Sequence, residues 1–236
     1  MTKQFYEGTA MGEGFVENPV LHVQARQLAR LRQRADGRPT QVLDLGCGAG
    51  TPTRALMANP VRFRVVGADL SPSAVAAYTS STGRDGVRLD AQRLPFVDGA
   101  FDAVVSDDVV EHLVDTDAYA KEIHRVLSPG GWLFLSTPNL AAWFNRLALL
   151  VGVQPAFSEV SFEKIFGRPG DDVVGHLRLF TRRAICEFLD HHGFDVVDVR
   201  GARFDALPRR LRPVDALFAK RSALAGNVVI AATRRG

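Results

Sequence analysis

The apolar positions of this chain change their period several times. Over 19–35, Leu21, Leu28 and Leu31 recur at the spacing of one helical face. Asn18 suits the cap before that helix, and Pro19 its first turn. Short apolar runs then alternate with helical stretches. Strands are predicted over 41–44, 63–68, 87–90, 101–106 and 131–136, with helices over 51–58, 71–79 and 116–127 between them. Further on, 181–192 reads as a helix capped by Thr181 and stopped at Gly193, 194–200 as a strand, 207–220 as mixed and 228–233 as a last strand. Continuous apolar strands alternating with helices predict a doubly wound α/β fold. Its seven-stranded, mostly parallel sheet carries helices on both faces. Residues 139–179 break the alternation after the fifth strand and are rich in aromatics, which predicts an insertion covering the active site.

Length and composition narrow this to one domain of 236 residues, with 1–38 as an N-terminal helical flap and 139–179 as an acceptor-pocket insertion. No apolar run approaches the roughly 18–20 residues that span a bilayer, since Asn145 and Arg146 interrupt the longest one. The first residues lack an apolar signal core, so the expected location is cytoplasmic. Cys47 and Cys186 make neither a disulfide framework nor a zinc site. A formal charge of +3 demands no nucleic-acid partner. Basic residues do thicken late, from Arg203 to Arg235, and a solvated surface explains them most simply. The 143–153 stretch is short and amphipathic enough to rest on a membrane surface, which gives the late arginines a second reading as a peripheral contact.

The chemistry begins at Val42-Leu43-Asp44-Leu45-Gly46-Cys47-Gly48-Ala49-Gly50-Thr51, a buried strand turning through three glycines into a helix. Ligands of open α/β sheets sit at such strand ends, and glycines let backbone N–H groups approach them. The spacing is neither that of a dinucleotide fold nor that of a phosphate loop, which would carry a lysine. Strand two ends Val65-Val66-Gly67-Ala68-Asp69-Leu70, where a carboxylate can accept from both hydroxyls of a ribose. Strand three ends Leu89-Asp90-Ala91-Gln92, where an acceptor suits the exocyclic amine of an adenine. Leu127-Ser128-Pro129-Gly130-Gly131-Trp132 reads as a helix stop, a tight turn and a new strand.

Together with 90–113 and 125–139, these segments resemble the class I S-adenosylmethionine (SAM)-dependent methyltransferases, in particular the group holding the ubiquinone-biosynthesis O-methyltransferases and many small-molecule enzymes. The resemblance covers roughly residues 40 to 140 and speaks for SAM far more than for any acceptor. It implies that Asp44, Gly46, Cys47, Gly48 and Gly50 hold the methionine moiety, Asp69 and Leu70 the ribose, and Asp90 and Ala91 the adenine. Asp107 would lie near the amino-acid end, and Tyr6 in a flap closing over the cofactor. The expected reaction is methyl transfer to a small molecule, first of all at a hydroxyl oxygen. Transfer to nitrogen or carbon, or SAM binding without transfer, are the alternatives. Arginine outnumbers lysine 25 to 4, a bias associated with high-GC bacterial genomes, which adds natural products and sugars to quinone-like acceptors.

His112 is the candidate base, because its ordinary pKa of about 6.5 lies near working pH. Asp108, Glu111 and His112 are spaced i, i+3, i+4, which a helix would bring to one face. In the ubiquinone group the corresponding residues imply a divalent-cation site, though Asp108 here is shorter than the family's glutamate, and no metal ligand is assigned. On the acceptor side Trp143, Phe157 and His176 are expected to line the pocket. Nucleic-acid methylation is disfavoured, since strand four is followed by Ser106-Asp107-Asp108-Val109 in place of an Asn/Asp-Pro-Pro-aromatic motif.

Overall fold

A computed structural model describes residues 19–31, 36–57, 63–169, 173–204 and 206–236. The predicted positions Tyr6 and Asn18 lie outside them. Helix α1 spans Pro19–Leu28. It is shorter than the 19–35 expected, although Leu31 beyond its end is still buried. Then come β1 (Thr40–Leu45), α2 (Thr51–Met57), β2 (Phe63–Asp69), α3 (Pro72–Thr82), β3 (Gly86–Arg88) and β4 (Phe101–Asp107). A 3-10 turn, Val110–His112, leads to α4 (Thr116–Val126) and β5 (Leu127–Pro138). After these stand α5 (Trp143–Leu150), α6 (Arg182–His191), β6 (Phe194–Ala202), a second 3-10 turn (Arg209–Leu211), α7 (Arg212–Ala219) and β7 (Asn227–Arg234).

The seven strands form one sheet in the order β3-β2-β1-β4-β5-β7-β6. Neighbours from β3 to β5 run parallel, and β7 lies antiparallel to both β5 and β6. This is the class I, Rossmann-like arrangement. The chain works outward from β1 to β3, then returns to β4 beside β1. That reversal opens a crevice at the strands' carboxyl ends, where open α/β sheets take their ligands.

Strand alternation sends Leu43 and Val104 to one face of the sheet, where Ile123 of α4 and Ile185 of α6 cover them. Val42, Ala103 and Val105 face the other way, onto Leu28 and Leu56. Both layers are buried, each large apolar side chain contributing about 1.5–3 kcal/mol. The expected caps are in place: the Thr181 hydroxyl accepts from the Ala184 N–H, and Gly193 follows α6 with φ +83°. β5 begins four residues earlier than expected, because Leu127 already pairs with Phe101 before a bulge at the Pro129–Gly131 turn.

Candidate active site

Three carboxylates converge at the crevice because each ends, or nearly ends, a strand on its two sides. Asp44 is next to last in β1, Asp69 is last in β2 and Asp107 last in β4. The glycine turn after β1 is pinned, with the N–H groups of Gly46 and Cys47 donating to Ala68 O at 2.8 and 3.0 Å. Gly46, Gly48 and Gly50 all have positive φ (76°, 48° and 78°), a conformation that side chains oppose. Gly48 N–H instead donates to Asp69 Oδ2 at 3.1 Å, and Ser71 N–H to Oδ1 at 2.9 Å. Those two contacts fix the orientation of the carboxylate expected to hold the ribose. Leu70 follows it half-buried, while Ala91 is buried and Asp90 exposed. Asp90 lies in the turn after β3, where its Oδ1 accepts from the backbone and side chain of Gln92.

Asp44 is fully enclosed and receives the Thr53 hydroxyl at 2.6 Å. Burial pushes its carboxyl up to about 7, and the same cause raises the neighbouring Cys47 thiol. Asp107 is half-buried, yet protein surrounds it on most sides. Desolvation, aided by Asp108, pushes it up to about 8. Its Oδ1 accepts from Gln24 Nε2 of α1. Gln24 is itself buried, and its Oε1 has no hydrogen-bond partner among the described residues. Sequence reasoning missed this residue, although its position between Leu21 and Leu28 on the apolar face of α1 marked it as a polar group with a buried task.

One correction concerns the turn after β4. The expected helical face of Asp108, Glu111 and His112 does not form. Asp108 takes a left-handed φ of +51°, receives Ser136 Oγ at 3.1 Å, and a 3-10 turn follows. Glu111 Oε2 accepts from Thr137 Oγ1, while its buried Oε1 lacks a partner among the described residues. Among the described residues, the side chains that could hold an ion together are Glu111, His112 and His176, their ligand atoms within 4.8 Å of one another. Asp108 is not among them, so the group brought together differs from the one the resemblance implies.

Trp143 stands at the far end of a row of rings from that turn. Its indole N–H donates to buried Asp215 at 2.9 Å and its ring stacks on Phe218, so it packs between α5 and α7. Phe144 and Phe157 stand between it and His176 in a row of rings. His176 reaches the turn, and Phe157 packs against it. The two imidazoles lie 4.8 Å apart, with His112 Nδ1 3.2 Å from Gly175 O and His176 Nδ1 3.1 Å from Phe157 O. A carbonyl accepts only, so each Nδ1 carries the proton and each Nε2 is the basic nitrogen. Burial, followed by His176, lowers His112 to about 4, and burial also lowers His176. The strap bearing His176 is fastened at both ends. Leu177 and Arg178 N–H donate to Glu111 O at 2.7 and 2.9 Å, and the Glu159 carboxylate accepts from Val174, Gly175 and His176 N–H.

Comparison with known proteins gives this geometry a context. Residues 43–135 match the methyltransferase-domain family. A 2-methyl-6-phytyl-1,4-hydroquinone methyltransferase of Synechocystis is 39% identical over 104 residues, 42% of this chain and 32% of that protein. A ubiquinone biosynthesis O-methyltransferase of Agrobacterium fabrum is 31% identical over 145 residues, 58% of this chain and 51% of its own length. The chain thus spans about half or less of these curated relatives. In structure, a SAM-dependent methyltransferase of Methanosarcina mazei superposes with a TM-score of 0.64 at 19% identity, over 92% of this chain and 98% of that one.

Proposed function

We propose, from the premise that residues 43–135 are a methyltransferase domain of the SAM-dependent class, that this chain transfers a methyl group from SAM to a small molecule, at a hydroxyl oxygen. The observation that carries the reading is the set of Asp44, Asp69 and Asp107 around a glycine turn at the sheet's reversal point. Carboxylates driven up by burial are a good fit to a ligand that brings positive charge. SAM supplies a sulfonium methyl already activated for displacement, together with an ammonium group.

The chain's own part is positioning. Asp69, held by Gly48 and Ser71 N–H, would take the ribose hydroxyls. Asp107, steadied by Gln24, and Asp44, steadied by Thr53, would face the amino-acid end. Asp90 and Ala91 would meet the adenine. Alignment of two reactants at near-attack distance removes roughly 7–11 kcal/mol of barrier. His112, neutral and with Nε2 as acceptor, would take the hydroxyl proton, while Phe157 and His176 would wall the acceptor. The names of the Synechocystis and Agrobacterium relatives support oxygen or a quinone-like ring as the target. Sugars and natural products, and transfer to nitrogen or carbon, use the same cradle. Incubation with methyl-tritiated SAM and panels of phenols, sugars and amines tests the reading. Label should pass to a hydroxyl compound, and tight SAM binding with no transfer to any panel would contradict it.

A further inference from the structure

We infer that α5 and α7 form a docking face for an anionic lipid bilayer. A surface helix in water turns its apolar side inward and its polar side out. These two neighbours do the opposite. In α5 the buried residue is Asn145, whose amide binds Leu140 O, Ala156 O and Ala156 N–H, while Leu147, Leu149 and Leu150 are exposed. In α7 the buried residue is Asp215, which accepts from Trp143 Nε1 and Phe204 N–H, while Val214 and Leu217 are exposed. The inward polar groups are satisfied by hydrogen bonds, so the inversion costs little on the inside. Its cost lies on the outside, where leucines meet water.

The two helices belong to one surface. Trp143 of α5 stacks on Phe218 of α7, and the Arg146 guanidinium donates to Ala223 O. Among the large apolar side chains exposed on the described surface, three of the five most exposed lie on these helices or at the end of α5: Leu150 (80%), Val151 (75%) and Leu217 (63%). Leu147 and Leu150 are spaced i, i+3 and share a side of α5, and Val151 caps its end.

Charge selects the occupant. Residues 206–223 carry Arg209, Arg210, Arg212, Lys220 and Arg221, and their single acidic residue, Asp215, is buried. Apolar tips among cations, without exposed acids of their own, match a layer of anionic headgroups over hydrocarbon. A second copy would bring the same positive charge to the face, and so fits it poorly. Both helices stand at the strand-end edge of the sheet, where Asn139 N–H bonds Gly226 O. The face is therefore beside the acceptor side of the crevice, though its existence does not depend on the proposed reaction.

The test is co-sedimentation of the full chain with vesicles of phosphatidylcholine, alone or with about one third phosphatidylglycerol, at about 0.1 M and about 0.5 M salt. The chain should pellet with the anionic vesicles at low salt and with neither at high salt. The double variants Leu147→Gln/Leu150→Gln and Arg209→Gln/Arg210→Gln should each weaken binding by roughly tenfold or more. Their melting temperatures and their thermal shift with S-adenosylhomocysteine should match wild type, which separates this surface from the cofactor site. Failure of the folded wild type to pellet would overturn the inference. So would binding that both variants retain, or a dimer in light scattering that the leucine variant dissolves.

Discussion

His112 holds Gly175 O through Nδ1, which leaves Nε2 as the ring's only proton acceptor. Burial keeps the imidazole neutral down to about pH 4. It is therefore ready to accept a proton at any physiological pH, but it is a weaker base than a solvated histidine. The lowered pKa places the acidic limb of the kcat/KM profile near pH 4, not at 6.5, so turnover should be flat in this group from pH 6 to 8. Replacing it, His112→Ala, should cost about 10²–10⁴-fold in S-adenosylhomocysteine formed. Cofactor affinity should stay unchanged. Normal turnover in that variant would remove the base role. His112 stood out in the sequence as a titratable group just past a strand end. Its partner His176 was legible only as a member of an aromatic insertion, because the strap's attachment to Glu111 joins residues 66 and 67 positions apart.

At the scale of elements, the strand-end carboxylates make a prediction about pH. Asp44 and Asp107 rise from 3.8 to about 7 and about 8 on folding. A raised carboxyl lends stability below its unfolded pKa and loses it as pH climbs through the folded value. The lowered histidines act in the opposite sense, but only below their unfolded value of 6.5. Between pH 6.5 and 8.5 the melting temperature of the ligand-free chain should therefore fall. Asp107→Asn should flatten the fall, and a flat wild-type profile in differential scanning calorimetry would contradict these shifts. A second test lies where β2 meets α3. A Cβ on Gly67 would overlap the ring of buried Tyr78, so Gly67→Ala should destabilise the chain by about 1–3 kcal/mol in urea unfolding. These strands and helices were readable from hydrophobic period because each buries a continuous apolar face. The turn at 108–112 was not, since the same spacing serves an α-helix or a 3-10 turn. The left-handed backbone at Asp108, held by Ser136, decides between them.

The molecule as a whole separates two surfaces. Its crevice is lined by carboxylates, and the face beside it is apolar and basic. The first was visible in the sequence because its residues cluster at strand ends in fixed order. The second was only half visible. The 143–153 stretch read as amphipathic, but which side faces outward follows from Asn145 and Asp215 finding partners inside. The antiparallel last strand likewise follows from long-range pairing that no local period encodes. No helix among the described residues is long and apolar enough to cross a membrane. The central claim is that the crevice binds SAM through Asp69, and thermal unfolding with and without S-adenosylhomocysteine tests it most directly. At 100 times its dissociation constant the ligand adds about 2.7 kcal/mol, roughly 5–10 °C for a chain of this size. The account predicts that shift in wild type and its loss in Asp69→Ala. A folded wild type that does not shift, or an Asp69→Ala variant that shifts as far, would contradict it.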